Sequence, residues 1–235
     1  MQTGYIRVAD IISIARPVLH QQVATRLRQH IVEGRLAPGA KLNERALCEQ
    51  LHVSRTPLRE AIKMLAAEGL VELLHNRGAV VAQLSRQDIV DTFELIAGLE
   101  GLSGELAARR IDDAQLTEIR ALHYEMLAAH ARRELPTYYR LNAAIHDAIN
   151  RAAGNRVLEQ TYRTVNTRLQ ALRFRSNFDD AKWDRAVAEH QRMIELLAAR
   201  DGAALRRLLV EHLEHKRDTV LEQLGAADGD AKVGA

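Results

Sequence analysis

Apolar positions in the first third of the chain recur at helical spacing and then switch to short runs. Val23, Leu27 and Ile31 repeat every four residues, which predicts a helix over about 17–33 with one buried face. Gly34 can stop it, and Ala37-Pro38-Gly39 makes a turn. A second short helix fits 43–51, with Asn43 as N-cap, Glu44 in the first turn, and Leu47 and Leu51 facing inward. Ser54 can cap a third, whose stripe is Leu58, Ala61, Ile62 and Leu65 and which Gly69 ends. Pro57 is tolerated there because first-turn N–H groups have no intrahelical partner. Two short apolar runs, Val71-Glu72-Leu73-Leu74 and Ala79-Val80-Val81, flank the turn His75-Asn76-Arg77-Gly78 and read as a β-hairpin. Three helices followed by a hairpin make a winged helix-turn-helix.

From Ser85 onward the periodicity is helical throughout. Ser85 and Asp88 approximate a capping box for a helix to about Arg110, with Phe93, Ile96, Leu99, Leu102 and Leu106 as its apolar stripe. Further helices fit 112–131, 135–153, 155–174, 180–199 and 202–224, punctuated by Gly154 and Gly202. Gly98, Gly101 and Gly104 weaken the first of these, and close approach of another helix is the reason to expect them. The predicted fold class is therefore mainly α: an N-terminal winged helix-turn-helix plus a C-terminal all-α six- to seven-helix bundle. The domain boundaries follow: an arm at 1–17, the winged unit at 18–82, the helical unit at 85–224, and a disordered tail at 225–235.

Charge sharpens this division. The chain has 33 Lys and Arg against 31 Asp and Glu, yet residues 1–82 carry 11 basic and 7 acidic side chains. The small unit is thus the basic one, which suggests a polyanionic partner. The single cysteine, Cys48, excludes an intrachain disulfide framework and fits a reducing cytoplasm. It reads as a small hydrophobe beside the second helix. No apolar run approaches the roughly 20 residues that cross a bilayer, and the opening residues do not read as a signal peptide.

Two sets of residues carry candidate chemistry. Arg55, Thr56 and Arg59 lie at the start of the third helix, opposite its buried stripe. The N-terminal residues of a recognition helix reach base edges first, and Arg suits bidentate bonding to guanine. Arg77, at the wing tip, can reach phosphates or the minor groove. Lys63 and Arg28 read as ordinary solvated charges. In the helical unit, Asn142 and His146 share a helix face, while His190 and His212 lie on two later helices. Three imidazoles and an amide oxygen could converge on one divalent metal, or be separate packed or surface side chains; spacing alone does not choose. His123, His130 and His215 read as surface residues.

Pro38-Gly39-x-Lys41-Leu42-Asn43-Glu44-Arg45-x-Leu47, then Val53 through Ala61, then Leu65-x-x-Glu68-Gly69-Leu70-Val71 resemble the DNA-binding domain of GntR-family transcription regulators. The resemblance implies operator contacts from Arg45, Arg55, Thr56 and Arg59, and entry of His75 and its neighbours into the minor groove. Residues 85–224 resemble the helical effector domain of the FadR-type subfamily in its metal-binding FCD version. Leu141-Asn142-x-x-Ile145-His146-x-Ala148, Glu189-His190 and Leu209-x-x-His212-Leu213 carry that likeness. It implies a divalent metal (Zn, Ni or Mn) on Asn142, His146, His190 and His212. It also implies a homodimer on a palindromic double-stranded DNA operator, a small effector, and repression released by ligand.

Two departures bear on the effector. The family's aspartate is Asn142 here, a neutral donor that would leave the ion a fuller +2 charge and a stronger pull on an effector carboxylate. Many members carry an Arg where this chain has Ile96, four residues before Glu100. Arg140, Arg163, Arg168 and Arg175 are candidates to replace it, each also readable as a surface charge. The competing function is a three-histidine metal-dependent hydrolytic enzyme. Against it, Glu189 neighbours His190 in sequence and is expected on another helix face, leaving no placed general base.

Overall fold

A computed structural model of the chain describes residues 19–75, 77–175 and 180–233. The predicted arm at 1–17 and Asn76 of the wing turn lie outside the described residues.

The first unit is α1 (Leu19–Val32), β1 (Lys41–Leu42), α2 (Glu44–Leu51), α3 (Arg55–Ala67), β2 (Val71–Leu74) and β3 (Gly78–Val81). Val23, Leu27 and Ile31 of α1 meet Leu58, Ala61, Ile62 and Leu65 of α3 in one core, with Cys48 packed at its edge. Each fully buried leucine there contributes about 1.5–3 kcal/mol relative to exposure. Asn43 caps α2 as expected, its side-chain oxygen accepting from the Ala46 N–H at 3.1 Å. The turn from α2 to α3 is made by His52, which takes a left-handed conformation (φ 52°) and donates its N–H to the Cys48 carbonyl. Ser54 has the extended backbone of an N-cap, but its hydroxyl makes no capping bond.

The hairpin is present, with Val71 opposite Val81 and Leu74 opposite Gly78. Lys41–Leu42 adds a third, antiparallel strand beside β3, giving the order β1-β3-β2. Two residues are too few for alternation to announce a strand, so the sequence pattern shows only a turn there.

The second unit is six helices: α4 (Arg86–Arg110), α5 (Asp113–Ala131), α6 (Leu135–Ala152), α7 (Arg156–Arg175), α8 (Asp180–Ala198) and α9 (Gly202–Val233). The Ser85–Asp88 capping box starts α4, and a second box, Asp112 with Gln115, starts α5. α4 and α9 run against one another along the centre. A Cβ at Gly101 would meet Val210 and Arg206, and one at Gly104 would strike Leu209 and Leu205. Both glycines permit the close approach expected of them. Gly98 opens on nothing within 4 Å and is there for another reason.

Four expectations need correction. Leu102, placed in the buried stripe of α4, is 38% exposed, and Leu95 is 51% exposed. The 25-residue helix rotates its apolar positions past a single face, so the stripe divides between an inner and an outer side. His123 is buried at 2% exposure, with Nε2 on the Gln191 side chain. His130 is half-buried, edge-on to Trp183 and paired with Asp184. Both lie where α5 packs on α8, a contact that sequence spacing does not reveal. Finally, α9 continues to Val233 instead of ending at Leu224.

Candidate DNA-reading face and metal centre

The first site lies on the exposed edge of the winged unit. Arg55 and Thr56 occupy the first turn of α3, directly after the extended Ser54, and both are exposed. Arg59 follows one turn later, its Nε donating to Glu44 of α2 at 2.9 Å. Arg45 projects from α2, 84% exposed, with Glu49 at 3.1 Å. Lys41, Arg45 and Arg55 line one shallow cleft between the β1–α2 junction and the start of α3. The structure thus brings Arg45, named only through the resemblance, to the same face as the recognition helix, and adds Lys41. His75 and Arg77 are exposed on the turn between β2 and β3. Arg28 is held by Glu68 at 2.6 Å and Lys63 by Glu60 at 2.9 Å, in agreement with their reading as ordinary surface charges.

The second site is in the core of the bundle. His146 of α6, His190 of α8 and His212 of α9 are all buried, and each offers a nitrogen within 4.8 Å of the others. In each ring, Nδ1 is turned away towards an oxygen, and in His190 and His212 a hydrogen bond holds it. His146 Nδ1 faces Glu100 Oε2 at 2.8 Å, His190 Nδ1 faces the Ala186 carbonyl at 2.7 Å, and His212 Nδ1 faces Glu189 Oε2 at 2.5 Å. An acceptor on Nδ1 fixes the proton there and leaves the Nε2 lone pair pointing inward. Burial, with His212 and His146 alongside, holds His190 well below the usual histidine range, so it stays neutral. His190 Nε2 and His146 Nε2 then lie 3.2 Å apart. That contact is bridged either by a proton on His146 Nε2 or by a cation between the two nitrogens. An ion about 2.05 Å from each nitrogen sets them about 3.3 Å apart in tetrahedral geometry and about 2.9 Å at a right angle. The donor set therefore fits a divalent metal.

Asn142 is buried one helical turn before His146, at 8% exposure. Glu100 and Glu189 are the residues that sequence reasoning missed. Glu100 is 1% exposed and, with Ser103, interrupts the buried face of α4; a lone carboxylate on an apolar face was the available signal. Glu189 does not point away from the site. It bridges His212 and the exposed His215, at 2.5 and 2.7 Å. Neither carboxylate is free to act as a general base.

Ile96 is fully buried against Phe93, Tyr162 and Leu213, so apolar packing fills the position where the family's arginine was sought. Arg140 is exposed, Arg163 pairs with Glu159 at 2.6 Å, and Arg168 lies across Gly69 of the winged unit. The side chain of Arg175 lies outside the described residues. The cation that does reach this region is Lys216, buried one turn after His212 and close enough to depress His190 further. A small cleft between α8 and α9 leads to it, lined by Glu189, His212, Lys216, His215, Lys182 and Arg185.

Comparison with known proteins decides the family. Residues 19–81 match the gntR family of bacterial regulatory proteins, and residues 91–215 match the FCD domain. The chain is a GntR-family regulator with an FCD domain. It is 25% identical over 202 residues to the transcriptional repressor RspR of Escherichia coli, covering 86% of this chain and 89% of that one. It is 28% identical over 200 residues to a probable D-xylose utilization operon repressor of Paenarthrobacter nicotinovorans, covering 85% and 88%. Among solved structures, E. coli McbR/YncC superposes with a TM-score of 0.78 at 21% identity, over 88% of this chain and 98% of that one. A GntR regulator from Rhodococcus gives a TM-score of 0.73 at 22% identity, over 86% and 97%. Family and relatives alike are regulators of transcription, not enzymes. Among the described residues no helix of this GntR-family chain is long and apolar enough to cross a membrane.

Proposed function

We propose that the chain is a metal-dependent, ligand-responsive repressor that binds a palindromic operator as a homodimer. The observation that carries this reading is the convergence of His146, His190 and His212 in a chain that also presents Arg45, Arg55, Thr56 and Arg59 on one exposed face. Three imidazoles and the Asn142 amide oxygen form a nitrogen-rich set, which favours Zn or Ni over Mn. Bound there, the ion supplies a Lewis-acidic coordination position for an effector carboxylate. Glu100 and Glu189 place two negative charges behind the ligands, so the ion does not keep the fuller charge that Asn142 alone would leave it. The pull on an anionic effector falls instead to Lys216, beside His212.

Dimerisation is supported by α4. Leu95 and Leu102 are exposed two turns apart with Gly98 open between them, an apolar stripe of the kind a second copy covers. One winged helix offers few base contacts, and a two-fold pair on a palindrome doubles them. Repression is the role named for RspR and for the D-xylose operon relative.

The test combines metal analysis with operator binding. Protein purified without chelator should carry about one Zn or Ni per chain and bind its own promoter region with a steep salt dependence. His146→Ala should lose the metal and the effector response while keeping DNA binding. A metal-free protein whose effector response survives His146→Ala would remove the metal from the mechanism. Leu95→Asp with Leu102→Asp should convert a dimer to a monomer by light scattering, and an unchanged mass would place the interface elsewhere.

A further inference from the structure

The winged unit and the bundle enclose a cleft well away from the three histidines. Its walls come from both units and from the segment between them. Ile31 and Leu70 belong to the winged unit, Leu84 to the connection, and Ile89 and Leu224 to the bundle. The cavity measures about 120 Å³. That is of the order of the roughly 150 Å³ apolar cavity that admits a benzene ring.

The lining contains no Asp or Glu, and its one charge is Arg168 of α7. Arg168 forms no ion pair among the described residues. Its side chain lies across Gly69, the left-handed residue (φ +75°) just past the end of α3, where a Cβ would come within 2.5 Å of Arg168 Nε. The side chain therefore passes along the edge of the cleft, with part of its surface open to solvent. A largely apolar, partly open volume at a domain junction, with Arg168 and Gln83 as its polar side chains, has the make-up of a small-molecule site. A positive charge without a counter-charge selects an anion, and a planar guanidinium matches a carboxylate in particular.

We propose that this interdomain cleft is a second ligand site, for a small apolar carboxylate of benzoate size. The hydrocarbon packs against Pro38, Leu84 and Leu224, and the carboxylate meets Arg168. The occupant touches both units at once, and Arg168 also touches the end of the recognition helix. Occupancy therefore changes how α3 is carried on the bundle, and by linkage operator binding and ligand binding alter one another. This last consequence rests on the regulator reading; the site itself does not.

The test uses the full-length protein with benzoate as the probe, followed by calorimetry, before and after removal of metal by EDTA. Binding should be saturable and unchanged by EDTA. Arg168→Met should weaken it by about tenfold or more, as losing a charge-assisted pair does. Benzamide should bind at least about tenfold more weakly than benzoate for the same reason. Leu84→Trp should abolish binding by filling the cleft, and circular dichroism checks that each variant is folded. Absence of saturable binding at about 10 mM benzoate, a concentration that would detect a site weaker than 1 mM, overturns the proposal. So does binding that vanishes with EDTA or His146→Ala and ignores Arg168→Met, because the ligand then occupies the histidine centre.

Discussion

Glu100→Gln removes the negative charge behind the histidine cluster at nearly constant side-chain size. Glutamine keeps a side-chain oxygen beside His146 Nδ1, so the packing around the ring survives while the charge goes. The carboxylate oxygen is 2.8 Å from Nδ1. Adding the width of an imidazole and one metal–nitrogen bond puts it roughly 7 Å from the ion. A unit charge and a doubly charged ion at that distance, with an effective dielectric constant near 20, attract by about 5 kcal/mol. That figure is a ceiling, since solvent and ligand rearrangement reduce it. Loss of such partners typically costs 10–100-fold in affinity, or about 1.4–2.7 kcal/mol. Competition against a chromophoric chelator at pH 7.5 should therefore show Zn binding at least about tenfold weaker. The rise in melting temperature on adding metal should shrink by about 2–4 °C or more. Glu189→Gln should cost less, because that carboxylate is 13% exposed and shared with His215. Zn affinity within about threefold of wild type for Glu100→Gln would refute a charge-compensating role.

Arg55→Ala and Arg59→Ala should each remove about 1–3 kcal/mol of operator discrimination, read as the ratio of specific to random-sequence binding at fixed salt; an unchanged ratio would remove α3 from base readout. Gly104→Val should destabilise the bundle by about 1–3 kcal/mol in denaturant titration, because the added carbons meet Leu209 and Leu205 of α9. Burial holds His123 and His190 below the usual histidine range, so each binds protons less readily folded than unfolded. Their stabilising contribution is complete above about pH 6.5 and is lost as the pH falls below it. Melting of chelator-treated protein should accordingly drop between pH 7.5 and 5.5, more gently in His123→Asn, and a flat profile would contradict burial of the neutral rings.

Local signals alone located most of the elements. The caps at Asn43 and Ser85, the stripes of α1 and α3 and the polar turn of the wing act within a few residues of themselves, and the structure keeps each one. The metal triad was only half legible. Asn142 and His146 share a face because they are one turn apart, but the arrival of His190 and His212 depends on how α8 and α9 cross α6. His123 was misplaced although it shares the α5 stripe of Ile119, Met126 and Ala129; what the pattern did not show was its partner on α8, Gln191.

The amino-acid sequence by itself determined the two-unit division, the helix that carries Arg55, Thr56 and Arg59, and the family. Each rests on spacing along one helix or on a contiguous motif. Only the tertiary structure decided which side chains stand behind the histidines, that Lys216 is the buried cation there among the described residues, and that Arg168 reaches the end of α3. Those relations join residues 23 to 99 positions apart through the packing of whole helices. No periodicity within one helix records the angle at which another crosses it.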